Sequence, residues 1–361
     1  MRIAILTLPL HTNYGGILQA FALQTVLEKM GHTVSVLMPE QRKQSIPWRT
    51  FLKRLILRCI GRPCGIPVFY ELHRTRLRED IDAFVNKRIN IRYISSLDIV
   101  CPNEYDAIVV GSDQIWRMKY FTRMWNTERL NAFLSFTDNW SIKRIAYAAS
   151  FGVAEWQFNE VETEQIHRNL SGFDAVSVRE ASAVSLLQNH TGIDATHVLD
   201  PTMLLSAEEY LVLAGKNARK KGGLVSYILD SNDELDAFIN DIAKAKGLIR
   251  TELKRQINEP CMPIEDWIAG ISSAELVVTD SFHGCIFSLI FRKPLIFTGN
   301  ESRGNARFST LVETFGLHAN MVTDFTQFSP EMSYELPSDI DERIIRMQTI
   351  SFDYLINSLQ K

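Results

Sequence analysis

Val278-Thr279-Asp280-Ser281-Phe282-His283-Gly284 decides how this chain folds. Residues Glu275 to Thr279 read as a strand and Cys285 to Arg292 as a helix, with only a short polar turn between them. A strand that stops at Asp-Ser-x-His-Gly and passes into a helix sets its polar groups at the carboxyl end of a sheet. Open α/β folds bind ligands at that edge, and the free N–H groups of the next helix suit an anion. A histidine there exchanges protons near neutral pH. On spacing alone the same residues also read as an Asp-Ser helix cap with a core-facing histidine.

The chain repeats the pattern in both directions. Arg2 to Leu8 reads as a buried strand, Thr12-Asn13-Tyr14-Gly15-Gly16 as a loop, and the next helix carries Ile17, Ala20, Phe21, Leu27 and Met30 on one face. Two glycines ahead of that helix let backbone and ligand approach closely. They do not form the GxGxxG fingerprint, which argues against NAD. Thr33 to Met38 is the second strand. Further strands end at Gly111-Ser112-Asp113-Gln114-Ile115-Trp116, Ser150-Phe151-Gly152, Arg179-Glu180 and Asp200-Pro201-Thr202. Four such ends in small or polar residues describe the ligand-facing edge of a parallel sheet.

Asp200-Pro201 is a natural boundary, since proline restricts the residue before it. Beyond it, Leu224 to Leu229, Leu248 to Leu253, the strand before Thr279 and Pro294 to Thr298 form a second α/β set with helices between them. The tail from Ile340 to Leu359 has helical spacing. The expectation is two Rossmann-like domains facing across a cleft, over residues 1–203 and 204–335, followed by a C-terminal helix over 336–361.

Bulk properties agree. A chain of 361 residues exceeds one typical core, and 46% hydrophobic with 22% charged residues is an ordinary globular composition. A net charge of -3 gives no reason to expect nucleic acid. Five cysteines without a CxxC pair argue against a disulfide framework or a zinc site and for a reducing cytoplasm. The apolar start reads as a strand and not as a signal peptide. Residues 41–92 stand apart as a basic helical insertion, with thirteen Lys or Arg against four Asp or Glu. Within it, 48–60 alternates Trp48, Phe51, Leu52, Leu55, Ile56 and Ile60 with Arg49, Lys53, Arg54 and Arg58. That pattern fits peripheral contact with an anionic membrane face, or a helix packed on its own domain with a solvated basic side.

Arg179, directly after a strand, grips a carboxylate or phosphate bidentately, or else pairs with Glu180 or another acid. Arg303 and Arg307 follow another strand end and point to an anion or to solvent. Asp113 suits a sugar by hydrogen bonding, and Trp116 either stacks on a sugar ring or packs in the core.

Five segments together are specific: Asn13 to Ala20, Val110 to Trp116, Ser177-Val178-Arg179-Glu180, Leu199-Asp200-Pro201-Thr202 and Val278 to Gly284. In their order and spacing the chain resembles the polysaccharide pyruvyl transferase family, from residue 1 to about residue 320. The resemblance implies a fold like that of B-type glycosyltransferases. It also implies transfer of pyruvate from phosphoenolpyruvate onto two sugar hydroxyls as a cyclic ketal, in bacterial surface-glycan assembly. It makes His283 the acid/base, Arg179 the anion clamp and Asp280 an orienter of the imidazole. Ser281, Phe282, Gly284, Arg303 and Arg307 then fall on the donor side, and Asn13, Tyr14, Gly15, Gly16, Asp113, Gln114 and Trp116 on the acceptor side. No cofactor or metal is implied beyond phosphoenolpyruvate as co-substrate, and the acceptor saccharide would be lipid-linked or free. One departure stands out: family members that transfer pyruvate tend to carry Arg-Leu-His where this chain has Ser281-Phe282-His283. The cationic role would pass to Arg303, Arg307 or Lys293, or the donor would differ. A nucleotide-sugar glycosyltransferase and a non-catalytic glycan-binding scaffold remain the two alternatives.

Overall fold

Alternation along the first strand sets the architecture. In β1 (Arg2–Leu6), Ile3 and Ile5 are buried in one apolar cluster while Ala4 and Leu6 belong to another, so both faces of the strand are covered. A strand buried on both faces is the mark of a parallel sheet between helical layers. The computed structural model describes residues 1–40, 52–53, 70–215, 222–253, 260–300, 304–325 and 334–360.

The first sheet comprises β1, β2 (Thr33–Pro39), β3 (Ile91–Ile94), β4 (Ala107–Val110), β5 (Lys143–Ala149), β6 (Ala175–Val178) and β7 (Thr196–His197). All are parallel, in the order β3-β2-β1-β4-β5-β6-β7. The order reverses between β1 and β4, which opens a crevice beyond their carboxyl ends. The second sheet comprises β8 (Leu224–Tyr227), β9 (Arg250–Glu252), β10 (Leu276–Thr279) and β11 (Leu295–Phe297), in the parallel order β11-β10-β8-β9. Its reversal lies between β8 and β10, at Asp280. The mixed α/β class with two parallel, Rossmann-like sheets is therefore as the sequence pattern indicates.

The helices are α1 (Tyr14–Lys29), α2 (Tyr70–Arg88), α3 (Met118–Trp125), α4 (Glu160–Ser171), α5 (Ala181–Thr191), α6 (Ala207–Ala214), α7 (Asp233–Ala245), α8 (Ile264–Ser273), α9 (Phe282–Ile290), α10 (Ala306–Phe315) and α11 (Ile340–Gln360). Three expectations change. Gly15 and Gly16 lie inside the first turn of α1 and not ahead of it. That helix is buried on nearly every side, because it is wedged between the first sheet and the second half of the chain. Residues 41–92 are not wholly an insertion, since α2 and β3 within them extend the first sheet by a parallel strand. Of the segment 48–60 only Leu52 and Lys53 lie among the described residues, so the membrane contact expected there falls outside them.

One apolar core joins the halves. It runs from Ile5, Val109 and Tyr147 under the first sheet, through α1, to Trp267, Val277 and Phe287 in the second half. Tyr14 stands at the junction, its ring stacked on Trp267 at 5.8 Å and its hydroxyl donating to the Met262 carbonyl at 2.8 Å. α11 crosses back: Ser351 Oγ accepts from Leu199 N at 2.9 Å, and Tyr354 donates to the Ala146 carbonyl at 2.8 Å.

Candidate active site

The carboxyl edges of both sheets line one cavity of about 450 Å³. From the first half come Leu8 to Asn13, Gly15, Gly16, Asp113 and Gln114; from the second come Tyr227, Leu229, Asp280, Ser281, Phe282, His283 and Arg307. The N-termini of α1 and α9 both open on it. The first-turn N–H groups of a helix have no intrahelical acceptor and carry partial positive charge, so the two together favour an anion.

α9 begins where the sequence turns from Thr279 to Phe282. Ser281 is its N-cap and accepts from Gly284 N at 3.4 Å, while Thr279 Oγ1 accepts from Ser281 N at 3.0 Å. Gly284 is required there, since a Cβ on it would overlap the Thr279 side chain. The capped turn holds His283 against Gly15 of α1, where an added Cβ would overlap imidazole Nδ1. Gly15 is thus the space that the histidine fills.

His283 is 6% exposed, and its Nε2 points away from the cavity to Asp200 Oδ2 at 3.6 Å. Asp200 is the centre of a buried network. Its Oδ2 accepts from Gln19 Nε2 at 2.5 Å and Arg179 Nη1 at 3.0 Å, and its Oδ1 accepts from Thr202 N at 3.1 Å and Thr202 Oγ1 at 2.7 Å. Burial alone would raise this carboxyl; His283, Arg179 and Thr202 more than offset that and hold it well below the usual carboxylate range. Asp200 is therefore a fixed anion at neutral pH.

The acid beside the imidazole is Asp200, which corrects the expectation for Asp280. The Asp280 carboxylate spans the β8–β10 reversal, accepting from Leu229 N at 2.6 Å, Asp230 N at 2.9 Å and Asn300 Nδ2 at 3.1 Å. Burial pushes its pKa up, the three bonds pull it down, and the nearby Asp230 charge adds to the rise, leaving it raised. Its oxygens are committed to holding the turn.

Arg179 is also displaced from its expected role. It is 3% exposed and absent from the cavity wall, paired with Asp200 and lying 3.6 Å from Glu180 Oε1. Burial opposes its charge, but Glu180, Asp200 and Asp113 outweigh burial and raise its pKa. Its guanidinium lies 4.7 Å from the Phe282 ring centroid, and that of Arg307 lies 5.3 Å away. Arg307 does line the cavity. Burial, then the like charge of Arg179, lowers its pKa to about 10, which leaves it a cation at neutral pH. Of the other two cations considered, Lys293 is not in the wall and Arg303 lies outside the described residues.

On the opposite wall Asn13 Nδ2 donates to Asp113 Oδ2 at 3.3 Å, and Asp113 Oδ1 accepts from Gln114 N at 2.7 Å. Gln114 Oε1 accepts from Arg117 at 2.8 Å. Two acceptor-side expectations fail on packing. Trp116 is 1% exposed, stacked on Phe133 at 5.1 Å and bonded through Nε1 to the Ala132 carbonyl, so it has no face for a sugar. Tyr14 is spent on Trp267 and Met262, as described above. Asp200 and Gln19 are the residues that sequence reasoning left out of the site; Asp200-Pro201-Thr202 reads there as a ligand-facing strand end, a domain boundary and a family segment, and Gln19 lies in another such segment, with no role given to either side chain.

A family model described as polysaccharide pyruvyl transferase matches residues 13–302. The chain belongs to the polysaccharide pyruvyl transferase family. That span includes α1, the Asp113 loop, Arg179, Asp200 and the His283 turn, and of the cavity wall only Leu8 to Thr12 and Arg307 lie outside it. Among curated proteins, no sequence matches the chain. Solved structures show loose likeness at full length. A UDP-GlcNAc 2-epimerase from Methanocaldococcus jannaschii is 15% identical with a TM-score of 0.48, covering 97% of this chain and 100% of its own. Arabidopsis thaliana UGT89C1 complexed with UDP-L-rhamnose is 11% identical with a TM-score of 0.47, covering 97% and 94%. As a polysaccharide pyruvyl transferase family member the chain is of a transferase family. Among its described residues no helix is long and apolar enough to cross a membrane, and no cluster of His, Cys, Asp and Glu could hold a metal ion.

Proposed function

We propose that this protein moves pyruvate from phosphoenolpyruvate onto two hydroxyls of a saccharide, forming a cyclic ketal, during bacterial surface-polysaccharide synthesis in the cytoplasm. The observation that carries the proposal is His283, with Nε2 3.6 Å from Asp200, on the wall of a cavity that also presents Arg307 and two helix N-termini. The donor's carboxylate and phosphate face Arg307 and the first turn of α9, and the sugar lies toward Asn13, Gly16, Asp113 and Gln114. Arg307 supplies the cation that Ser281 does not.

The chemistry needs one proton in and two out. A proton adds to the methylene carbon of the enol phosphate, and a sugar hydroxyl oxygen bonds to C2 and loses its proton. The C2–O bond to phosphate then breaks, with its electron pair leaving on phosphate. The second hydroxyl bonds to C2, and its proton departs with the phosphate. His283 gives the first proton and recovers one from the first hydroxyl, so it ends as it began. With Nε2 turned to Asp200, Nδ1 on the Gly15 side is the nitrogen that meets substrate. The Asp200 carboxylate lies on the far side of the imidazole from the substrate, and Arg307 stabilises the anionic groups throughout.

Purified protein incubated with phosphoenolpyruvate, or with UDP-sugars, and bacterial oligosaccharide acceptors tests the proposal. Acceptor-dependent phosphate release that disappears in His283→Ala, with little change in melting temperature, is expected. UDP release alone would make the protein a glycosyltransferase, and neither release would leave a glycan-binding scaffold.

A further inference from the structure

Ketal formation takes protons from two hydroxyls, and His283 can accept only one of them. It gives a proton to the methylene carbon and regains one from the first hydroxyl, so it is protonated when the second hydroxyl attacks. A second proton acceptor must reach the same sugar. Among the described residues the cavity wall holds two carboxylates, Asp113 and Asp280, and one further imidazole, His11. Asp280 is committed to Leu229 N, Asp230 N and Asn300. His11 has Nδ1 3.4 Å from Arg78 Nη1, and a guanidinium so near opposes protonation of the ring. Asp113 is left.

We propose that Asp113 is the base that takes the proton of the second hydroxyl. This rests on the transferase reading above and adds a catalytic residue to it. Three observations support it. Its two oxygens are unequally engaged: Oδ1 accepts from Gln114 N at 2.7 Å, whereas Oδ2 receives the Asn13 amide at a long 3.3 Å. Next, Oδ2 lies against the first turn of α1, where a Cβ on Gly16 would come to 3.0 Å from it. Imidazole Nδ1 packs on Gly15, so the two proton-handling groups flank consecutive residues whose Cα atoms are about 3.8 Å apart. A sugar over that turn can offer one hydroxyl to each. Finally, the Asp113 carboxylate is close enough to Arg307 for its charge to work against the fall in that residue's pKa, so it belongs to the same charged site as the donor-side cation.

The step balances as follows. Once phosphate has left C2 with the electron pair, the second hydroxyl oxygen bonds to C2. Its O–H bond breaks and the proton moves to Asp113 Oδ2. The departing phosphate then takes that proton, which restores the carboxylate.

The test compares wild type with Asp113→Asn and Asp113→Ala, following phosphate release from phosphoenolpyruvate with the same oligosaccharide acceptors. In Asp113→Asn, Oδ1 still accepts from Gln114 N, and the exposed Asn13 can turn its amide to meet the new NH2, so the fold is spared. Its kcat per folded molecule is expected to fall about a hundredfold or more, with acceptor KM within about threefold of wild type. Formate, a small carboxylate, should restore at least about tenfold of the turnover lost in Asp113→Ala and add nothing to wild type. A kcat that holds while acceptor KM rises would make Asp113 a sugar-binding group only and overturn the proposal, as would Asp113→Ala that formate does not revive. Wild type that releases no phosphate with any acceptor would sink the transferase reading together with the proposal, whereas active wild type beside an equally active Asp113→Asn would sink the proposal alone.

Discussion

Replacing Asp200 by Asn is a nearly isosteric change that should cost about 3 kcal/mol of stability, and the geometry says why. Asp200 is 2% exposed and accepts from four donors, two on each oxygen. An asparagine has one acceptor and one donor end. If its amide nitrogen takes the Oδ2 place, it faces Gln19 Nε2 and Arg179 Nη1, both donors. Gln19 cannot simply flip, because Nε2 also donates to the Ser112 carbonyl at 3.0 Å. If the amide turns round, its nitrogen meets the Thr202 N–H, which cannot accept. Either way at least one donor faces a donor, and Arg179 loses its closest counter-charge. Breaking a buried ion pair by removing one partner costs about 3–5 kcal/mol, and Glu180 at 3.6 Å from Arg179 keeps the loss near the lower end. Urea unfolding followed by tryptophan fluorescence at pH 7 reads the difference directly. A folded-state carboxyl held below its unfolded value adds stability that is full above about pH 4 and fades as pH falls toward the folded value. The gap between wild type and variant should therefore be smaller at pH 3 than at pH 7. A change under about 1 kcal/mol at pH 7, or a gap that does not narrow in acid, would refute the ionic account of this network.

Gly15→Ala should lower turnover by about a hundredfold through displacement of the His283 ring, with a small change in melting temperature because the cavity accepts the moved ring; full activity would show that the close approach is unimportant. Arg307→Gln should weaken binding of phosphoenolpyruvate by about 1.5–3 kcal/mol while sugar binding holds, as isothermal titration would show; unchanged donor affinity would remove Arg307 from the donor site. Trp116→Leu should lose about 3 kcal/mol or more of stability, since a fully buried aromatic and its Nε1 bond to Ala132 are removed. Acceptor KM per folded molecule should stay the same, and a raised KM would return Trp116 to the sugar site.

The strands and the polar turns after them were legible because each carries its own local signal: a β-branched run, then small or polar residues. Asp-Ser before Phe282 correctly marked a helix start, although the helix begins three residues before the expected Cys285. What was not legible was partnership across long separations. His283 meets an aspartate 83 residues earlier in the chain, while the aspartate three residues before it faces the other way. Arg179 beside Glu180 read equally as clamp or ion pair, and only the arrival of Asp200 at 3.0 Å settles which. Trp116 misled for a related reason: its neighbours Phe133 and Phe151 come from later turns whose packing has no local pattern. Nor does α1 look amphipathic in the structure, because a second half of the protein covers the side that periodicity assigned to solvent.

α11 bears on how the molecule is made. Its early residues pair with the second half, Asp341 with Arg292, and its later ones, Ser351 and Tyr354, complete the first sheet at Leu199 and Ala146. A ribosome emits these residues after the whole second half, at about 5–20 residues per second. The part of the first half at Ala146 and Leu199 is therefore synthesised early and stays without its α11 contacts until translation has passed through the whole second half. During that interval the apolar groups that α11 covers stay exposed, the kind of surface that promotes aggregation. Truncations from Ser351 onward would accordingly be felt in aggregation during expression, at Leu199 and Ala146, made 152 and 208 residues before their partners Ser351 and Tyr354.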